Sequence, residues 1–418
     1  MNMDTTATGT LLEDPRAQAL LTDARITGNQ VGRCRQALER FITRYLPLFY
    51  RAEHRTNARI VIQGLLSGLQ RKTAEPIARQ EGVHRKGVQV FVGGGKWDDE
   101  AVMGELRRHV VEAMGDPEGV LVLDPSAFPK KGTHSCGVAR MWCGRLGKKE
   151  NCQIGIFLAY ATVRGQAPLD RRLFVPKRWA DDPQRRRECH VPTWVTHQEP
   201  WEMGLNMIQE RAAFIPHRWV VADDELGRVE AFREGLRQRG EAYVVDVPLR
   251  TTIRDLSVQG PLPAGIATNR MPNAFCQVHQ WAEAQPRRAW RQIDVKDGQK
   301  GPIQVRAILA KVQTRLKSRT GPQEWLVVIR SPGVGGNDED ISYHLAWSAG
   351  PVTLEECVRA RARRHQIEEL FGHGKGEAGL DHYEVRSYVG WHHHMTLSLV
   401  ALWFLCLQRL HLEKKRPQ

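Results

Sequence analysis

No CxxC pair occurs among the eight cysteines, Cys34, Cys136, Cys143, Cys152, Cys189, Cys276, Cys357 and Cys406. Scattered thiols of this kind speak against a zinc ribbon and against a disulfide-stapled framework, so reduced cysteines are expected. Cys136, Cys143, Cys152 and Cys189 with His190 could meet around zinc in space, but their spacing gives no support for it. Long hydrophobic runs are missing too. The longest, Met395 to Leu407, contains Thr396 and Ser398 and falls short of the roughly 18 residues a membrane span needs, so it reads as a buried helix. The segment MNMDTTATGTLLEDPRAQAL lacks the basic start, apolar stretch and small-residue cleavage site of an export signal. A cytoplasmic location, away from membranes, is therefore expected. Acidic residues are the scarcer charge, 47 against 61 Lys and Arg, which leaves the chain at +14. That balance points to a polyanionic partner, nucleic acid first, although a basic background serving only solubility gives the same number.

What is present is an ordinary folded composition, 41% hydrophobic over 418 residues, enough for two or three domains. After a polar leader over residues 1–30, apolar residues recur at helical spacing from Cys34 through Leu46 and again from Arg59 to Leu69. The segment RKTAEPIARQEGVHRKGVQVFV predicts a short helix from Glu75 to Gln80, a turn at Gly82 and a second helix from about His84. This has the outline of a helix-turn-helix, with His84, Arg85, Lys86 and Gln89 facing outward. A plain helical hairpin with a solvated basic face fits the same letters.

After a predicted amphipathic helix from Asp98 to Met114, GVLVLD reads as a buried strand ending in Asp124. Strands follow over Gln153 to Thr162 and Pro168 to Pro176, then a helix from Trp201 to Phe214. The strand RWVVAD ends in Asp223 and leads to a helix from Gly227 to Arg239 and the strand AYVVDV. Three antiparallel strands followed by alternating helix and strand fit an α/β domain of ribonuclease-H-like order. The stretch from Pro248 to Gly350 is strand-rich, with an inner layout the sequence leaves open. The chain closes with a helix from Thr353 to about Phe371, a Gly-rich loop, and the apolar helix from Trp391 to Leu410. The expected class is thus α/β: a ribonuclease-H-like catalytic core interrupted by a β-rich insertion and preceded by a helical DNA-binding domain. Its expected parts are residues 31–116 for DNA binding, 117–249 for the first part of the core, 250–350 for the insertion and 351–412 for the closing helices.

Asp124 and Asp223 each end an apolar strand, where a charge needs a cation or a hydrogen-bond partner. Brought side by side they repel unless a metal neutralises them, and Mg²⁺ suits a few carboxylates plus phosphate oxygens. For each Asp alone, a turn residue closing a strand is the better reading. The third candidate lies in RARRHQIEELFGHGKGEAGLDHYEVRS, where helical spacing puts Arg364, Glu368 and Lys375 near one face and Ile367, Leu370 and Phe371 on the buried one. A surface helix with an Arg364–Glu368 ion pair explains that pattern equally well. Adjacent histidines on a helix point about 100° apart, so His392, His393 and His394 cannot all ligate one ion.

At these segments the chain resembles the insertion-sequence-701 family of bacterial DDE transposases, related to the larger insertion-sequence-4 group. The likeness runs from about Leu38 to Leu410. It rests on LVLDPSAFPKKGTHSCGVAR, KKENCQIGIFLAYATVRGQAPLDRRLFVP, RWVVADDELGR, DGQKGP and IEELFGHGKGEAGLDHYEVRSYVGWHHHMTLSLVAL. The resemblance implies Asp124, Asp223 and Glu368 as catalytic metal ligands, for Mg²⁺ with Mn²⁺ able to substitute. It selects Asp223 over Asp224 and Glu368 over Glu369. The larger group carries a Tyr-Arg-Glu-Lys signature; Arg364, Glu368 and Lys375 match it, while Arg361 stands at the Tyr position. His365 stands where the family has Trp, and Leu226 where it has Tyr. The implied partners are double-stranded DNA, as element ends and as target, and a second copy of the chain on that DNA, in a bacterial cytoplasm. Arg364, Lys375, Lys130, Lys131, Arg140, Lys300, Arg85 and Lys86 are candidate phosphate or DNA contacts, with a solvated basic face as the alternative for the exposed lysines and arginines. Two further readings stay open: a domesticated DNA-binding regulator, and a metal-dependent endonuclease that cleaves without joining.

Overall fold

The computed structural model describes residues 27–268, 274–298, 301–317, 319–332 and 339–413. Residues 1–26 of the expected leader and Lys300 lie outside them. The first described element is α1 (Gly28–Tyr45), opened by a capping box between Thr27 and Gln30 that satisfies free N–H groups of the first turn. Only its last turns are apolar enough to bury Phe41, Ile42 and Tyr45. α2 (Ala52–Leu65) buries Ala58, Val61, Ile62 and Leu65. α3 (Ala74–Gln80) and α4 (Arg85–Gly94) follow as predicted, joined by a turn in which Gly82 has φ +65°. A side chain there would be strained, and the Val83 N–H closes the turn on the Ala78 carbonyl at 2.9 Å. α5 (Asp99–Met114) is capped by Asp98.

Among the described residues a twelve-stranded sheet follows. β1 (Val120–Pro129) pairs antiparallel with β3 (Lys148–Thr162), and β3 with β2 (Ala139–Cys143) and β4 (Gly165–Leu173). On its other side β1 runs parallel to β5 (Trp219–Ala222), and β5 parallel to β6 (Tyr243–Asp246). β4 ends before the predicted Pro176, because Pro176 caps the short α6 (Lys177–Ala180). Two further helices, α7 (Pro183–Glu188) and α8 (Pro200–Arg211), lead to β5. The helix predicted from Gly227 to Arg239 is α10 (Glu230–Gln238), and an unpredicted short helix, α9 (Asp224–Gly227), precedes it.

The strand-rich stretch beyond β6 extends the same sheet. β7 (Thr252–Asp255), β8 (Cys276–Gln277), β9 (Arg291–Gly298), β10 (Gly301–Leu316), β11 (Arg319–Pro332) and β12 (Glu339–Trp347) include one short helix, α11 (Val278–Glu283). β12 pairs antiparallel with β6, and the order continues through β11, β10, β7 and β8, with β9 beside β10.

Two long helices cover the sheet. α12 (Leu354–Glu377) starts at a Thr353–Glu356 capping box. It runs six residues past the predicted end, so the expected Gly-rich loop is its last turns. The reason is close packing: a side chain on Gly374 would meet Leu380 at 3.2 Å and Leu402 at 3.3 Å. α13 (Tyr388–Glu413) is buried on nearly every side, with Trp391, Met395, Val400 and Trp403 inaccessible to solvent. Among the described residues no helix is long and apolar enough to cross a membrane. The three histidines of α13 pack. His392 donates to the Tyr388 carbonyl at 2.9 Å, His393 stacks on Trp97, and His394 donates to the Gly379 carbonyl at 3.0 Å. Burial lowers all three, to about 4, so they are neutral at pH 7.

β4 is fastened to α8 through a buried charge cluster. Asp170 accepts from Arg211 at 2.8 Å and from Arg171 at 3.4 Å. Burial alone would raise the Asp170 carboxyl, but the two guanidiniums outweigh it and hold it at about 2. A folded value below the unfolded 3.8 means stability present above that pH and lost as pH falls towards 2. Asp170→Asn is expected to cost about 2 kcal/mol at neutral pH, a deficit that closes on acidification from pH 4 to 2. Urea unfolding midpoints of both proteins across that range check it; a constant deficit refutes the assignment.

Candidate active site

Strand register sets the first feature. Leu123 pairs with Ala222 and Ala222 with Val245 across β1, β5 and β6. The next residues, Asp124, Asp223 and Asp246, therefore stand level where the parallel pairing of the three strands ends; contrary to the sequence expectation Asp124 does not end its strand, because β1 runs on to Pro129 paired with β3. With strands about 4.8 Å apart, the outer two are about 10 Å apart at Cα. Alternation decides the face: Leu123 lies under Gly204 of α8, so Asp124 and Ser126 point the opposite way, towards α12.

α12 supplies the second feature. Because the helix continues to Glu377, Lys375 stays two turns from Glu368 on the same face. Arg364 lies 3.8 Å from Asp124, 3.6 Å from Asp246 and 3.3 Å from Glu368. The Lys375 ammonium donates to the Ser126 hydroxyl at 3.1 Å. Glu368 is half-exposed and also faces His365 at 3.3 Å. Its neighbour Glu369 lines a separate groove with Arg363, His373 and Arg409. Asp224, half-exposed, pairs with Arg228 at 2.8 Å, whereas Asp223 caps α9 by accepting from the Leu226 N–H at 3.1 Å.

The electrostatics follow from burial. Burial pushes the Asp124 carboxyl up to about 7, helped by the charges of Asp223 and Glu368 against those of Arg364 and Lys375. Burial likewise raises Asp223, partly offset by its hydrogen bond from Leu226. Asp246 goes the other way. Its burial is outweighed by the hydrogen bond from His344 and by the Arg361 and Arg364 guanidiniums, which hold it at about 2. Burial lowers Lys375 and keeps the inaccessible His344 neutral, donating Nδ1–H to Asp246 at 2.8 Å.

The sequence reasoning missed Asp246, although AYVVDV carries the same signal as the two other strands, an apolar run closed by Asp. It also missed that Arg361 would reach Asp246, at 2.9 Å. Of the remaining predicted contacts, Lys130 is folded back on the Tyr383 ring and carbonyl, and burial lowers its ammonium to about 8. Lys131 and Arg140 are exposed on and before β2. Arg85 and Lys86 are exposed on the first turn of α4, Arg85 lying 3.5 Å from Glu75.

Among the described residues no three acidic, histidine or cysteine groups already enclose a metal ion. The donor chemistry nonetheless fits a hard divalent cation: carboxylate oxygens only, with one of them, Asp124, costly to ionise where it stands. To join them Glu368 would leave its contacts with Arg364 and His365, pairs of a kind worth about 0.3–0.5 kcal/mol at a surface.

No curated protein matches the chain significantly. Among solved structures it is similar to the cryo-electron microscopy structure of the piggyBac transposase synaptic complex with hairpin DNA. The two share 8% sequence identity with a TM-score of 0.41, over 88% of this chain and 68% of that one. A family match covers residues 44–302, which hold Asp124, Asp223 and Asp246 and end before α12. That family is described as DDE superfamily endonuclease, and since the match takes in more than half of the sequence, the chain belongs to the DDE superfamily endonucleases.

Proposed function

We propose that this endonuclease is a DNA transposase of the insertion-sequence-701 type, with Asp124, Asp223 and Glu368 as its catalytic carboxylates. The observation that carries the reading is the level pair Asp124 and Asp223 on neighbouring parallel strands, overlaid by one helix face bearing Arg364, Glu368 and Lys375. Such a face combines acceptors for a cation with donors for phosphate oxygens. The strand order β4-β3-β1-β5-β6, with β1, β5 and β6 parallel, supports a ribonuclease-H-like core. The strands beyond β6 then form its insertion, and the helices before β1 its DNA-binding part, in which the exposed Arg85 and Lys86 of α4 meet the duplex. The active form is a homodimer that brings two element ends together in a bacterial cytoplasm.

Mg²⁺, or Mn²⁺ in its place, would be held by Asp124, Asp223 and Glu368 and would supply activation of water and stabilisation of the departing 3′ oxygen. Lys375, beside Ser126, and Arg364, beside Asp124, orient the phosphate and balance its charge, so the step needs no nucleophilic side chain. Asp124 acts as an anion once the cation offsets its burial.

The test is incubation of the full chain with DNA carrying the element's ends, with Mg²⁺ and with EDTA. Cleaved and joined products that vanish in EDTA are expected. Binding without any cleavage supports a regulator instead, and cleavage without joining a nuclease.

A further inference from the structure

We propose that Asp246 is a positioning residue for this site, drawing the Arg364 guanidinium away from Glu368 and Asp124, the carboxylates it also touches and that would take the divalent cation. The inference rests on the cation-binding reading of Asp124, Asp223 and Glu368. Arg364 has three acidic neighbours, Asp124 and Glu368 among the cation's acceptors and Asp246 outside them. A guanidinium and a divalent cation compete for the same carboxylate oxygens, so where Arg364 rests decides how available those oxygens are.

The Arg364 nitrogen that donates to Glu368 at 3.3 Å also lies 3.6 Å from Asp246, so Asp246 competes with the cation's acceptors for the guanidinium. Asp246 stands in the row with Asp124 and Asp223 but one strand further out. Oδ1 takes the Nδ1–H of His344, whose Nε2 in turn accepts from the Ser342 hydroxyl at 2.8 Å. Arg361, at the signature's Tyr position, lies against the same Oδ1 at 2.9 Å. This leaves Oδ2 turned to Arg364, at 3.6 Å. Two cations and a histidine hold the Asp246 carboxyl at about 2, so it is ionised at neutral pH. Its carboxylate faces His344, Arg361 and Arg364, whereas Asp124 has Arg364 at 3.8 Å. The departure from the family signature is thereby explained within this chain: an Arg at position 361 needs a buried acid, and Asp246 is that acid.

The experiment is titration of the full chain with Mn²⁺ alone by isothermal calorimetry, for wild type, Asp246→Asn, Arg364→Gln and the double variant. Asn keeps the acceptor for His344 and removes the charge that draws Arg364. Asp246→Asn is expected to weaken Mn²⁺ binding by about tenfold, within the range of coupling between contacting residues. In the Arg364→Gln background the same change is expected to have no effect, because no guanidinium remains to draw away. If Asp246→Asn weakens binding equally in both backgrounds, Asp246 is itself a ligand and the proposal is overturned, as it is if the single variant binds Mn²⁺ like wild type. If Asp246→Asn does not fold, Asp246→Glu, which shifts the carboxylate by one methylene, replaces it with the same expected direction. Wild type that takes up no Mn²⁺ removes the cation reading itself, and this proposal with it.

Discussion

An Asp223→Asn variant is expected to cut DNA about a thousandfold more slowly than wild type while unfolding no more easily. The two halves of this expectation have separate causes. Asp223 has a structural role as the cap of α9, where its Oδ1 accepts from the Leu226 N–H. Asn fills an N-cap as well as Asp does, so that bond survives. The carboxylate is also disfavoured by burial in the absence of a cation, so replacing it with a neutral amide removes a cost of folding. What Asn cannot supply is the second negative charge beside Asp124. On the proposed cation-binding reading, losing a metal that contributes several kcal/mol to the transition state, at 1.36 kcal/mol per factor of ten, gives a drop of about a thousandfold or more. Single-turnover cleavage and thermal melting of the same preparations measure both halves. Asp224→Asn is the control: its carboxylate is half-exposed and paired with Arg228, so its cleavage rate should stay within about threefold of wild type. A reversal of the two phenotypes would move the ligand one residue along the chain.

That control matters because adjacent acidic residues are where a sequence alone is least decisive. DD at positions 223–224 and EE at 368–369 offer two carboxylates each. The choice depends on which way a strand end or helix face points. For Glu368 the direction was readable, because Arg364, Glu368 and Lys375 share a helical stripe. For Asp223 it rested on resemblance; the structure places Asp223 at the cap of α9 and Asp224 against Arg228. Asp124 was singled out as the charge closing an apolar strand, although β1 in fact runs on to Pro129 through its pairing with β3. Asp246 sits at the end of an equally apolar strand, but its partners His344, Arg361 and Arg364 lie about a hundred residues further along, and no local pattern announces such a meeting. The pairing of β12 with β6 escaped for the same reason: hydrogen bonding between distant strands follows from tertiary packing. The end of α12 was misplaced because Gly372, Gly374 and Gly376 read as a loop by propensity. Only the contact of Gly374 with Leu380 and Leu402 shows why helix is kept there.

A second large effect is expected far from the carboxylate row. Glu324 on β11 is wholly buried, and its Oε1 receives Arg233 at 2.9 Å, Arg237 at 3.4 Å and the Tyr243 hydroxyl at 2.6 Å, while Oε2 takes the Thr314 hydroxyl at 3.1 Å. These partners come from α10, β6 and β10, so a single carboxylate ties the far half of the sheet to the helix between β5 and β6. Arg233 also donates to the Gly227 carbonyl at 2.6 Å, at the end of the helix that Asp223 caps. The charge on Glu324 is therefore two steps from the candidate site. Glu324→Gln keeps the shape but leaves the buried Arg233 without its carboxylate, and Arg237 with its exposed Glu234 and the Tyr243 hydroxyl at 2.6 Å. Breaking one side of a buried pair in this way costs about 3–5 kcal/mol. The urea midpoint should fall accordingly. Replacing both sides with apolar residues, Arg233→Met with Glu324→Leu, should recover much of the loss, because the penalty belongs to the unpaired charge and not to missing volume. If the double variant is no more stable than Glu324→Gln, the network is valued for its hydrogen bonds to Tyr243 and Thr314. If Glu324→Gln is as stable as wild type, the buried pair contributes nothing to joining the two halves of the sheet.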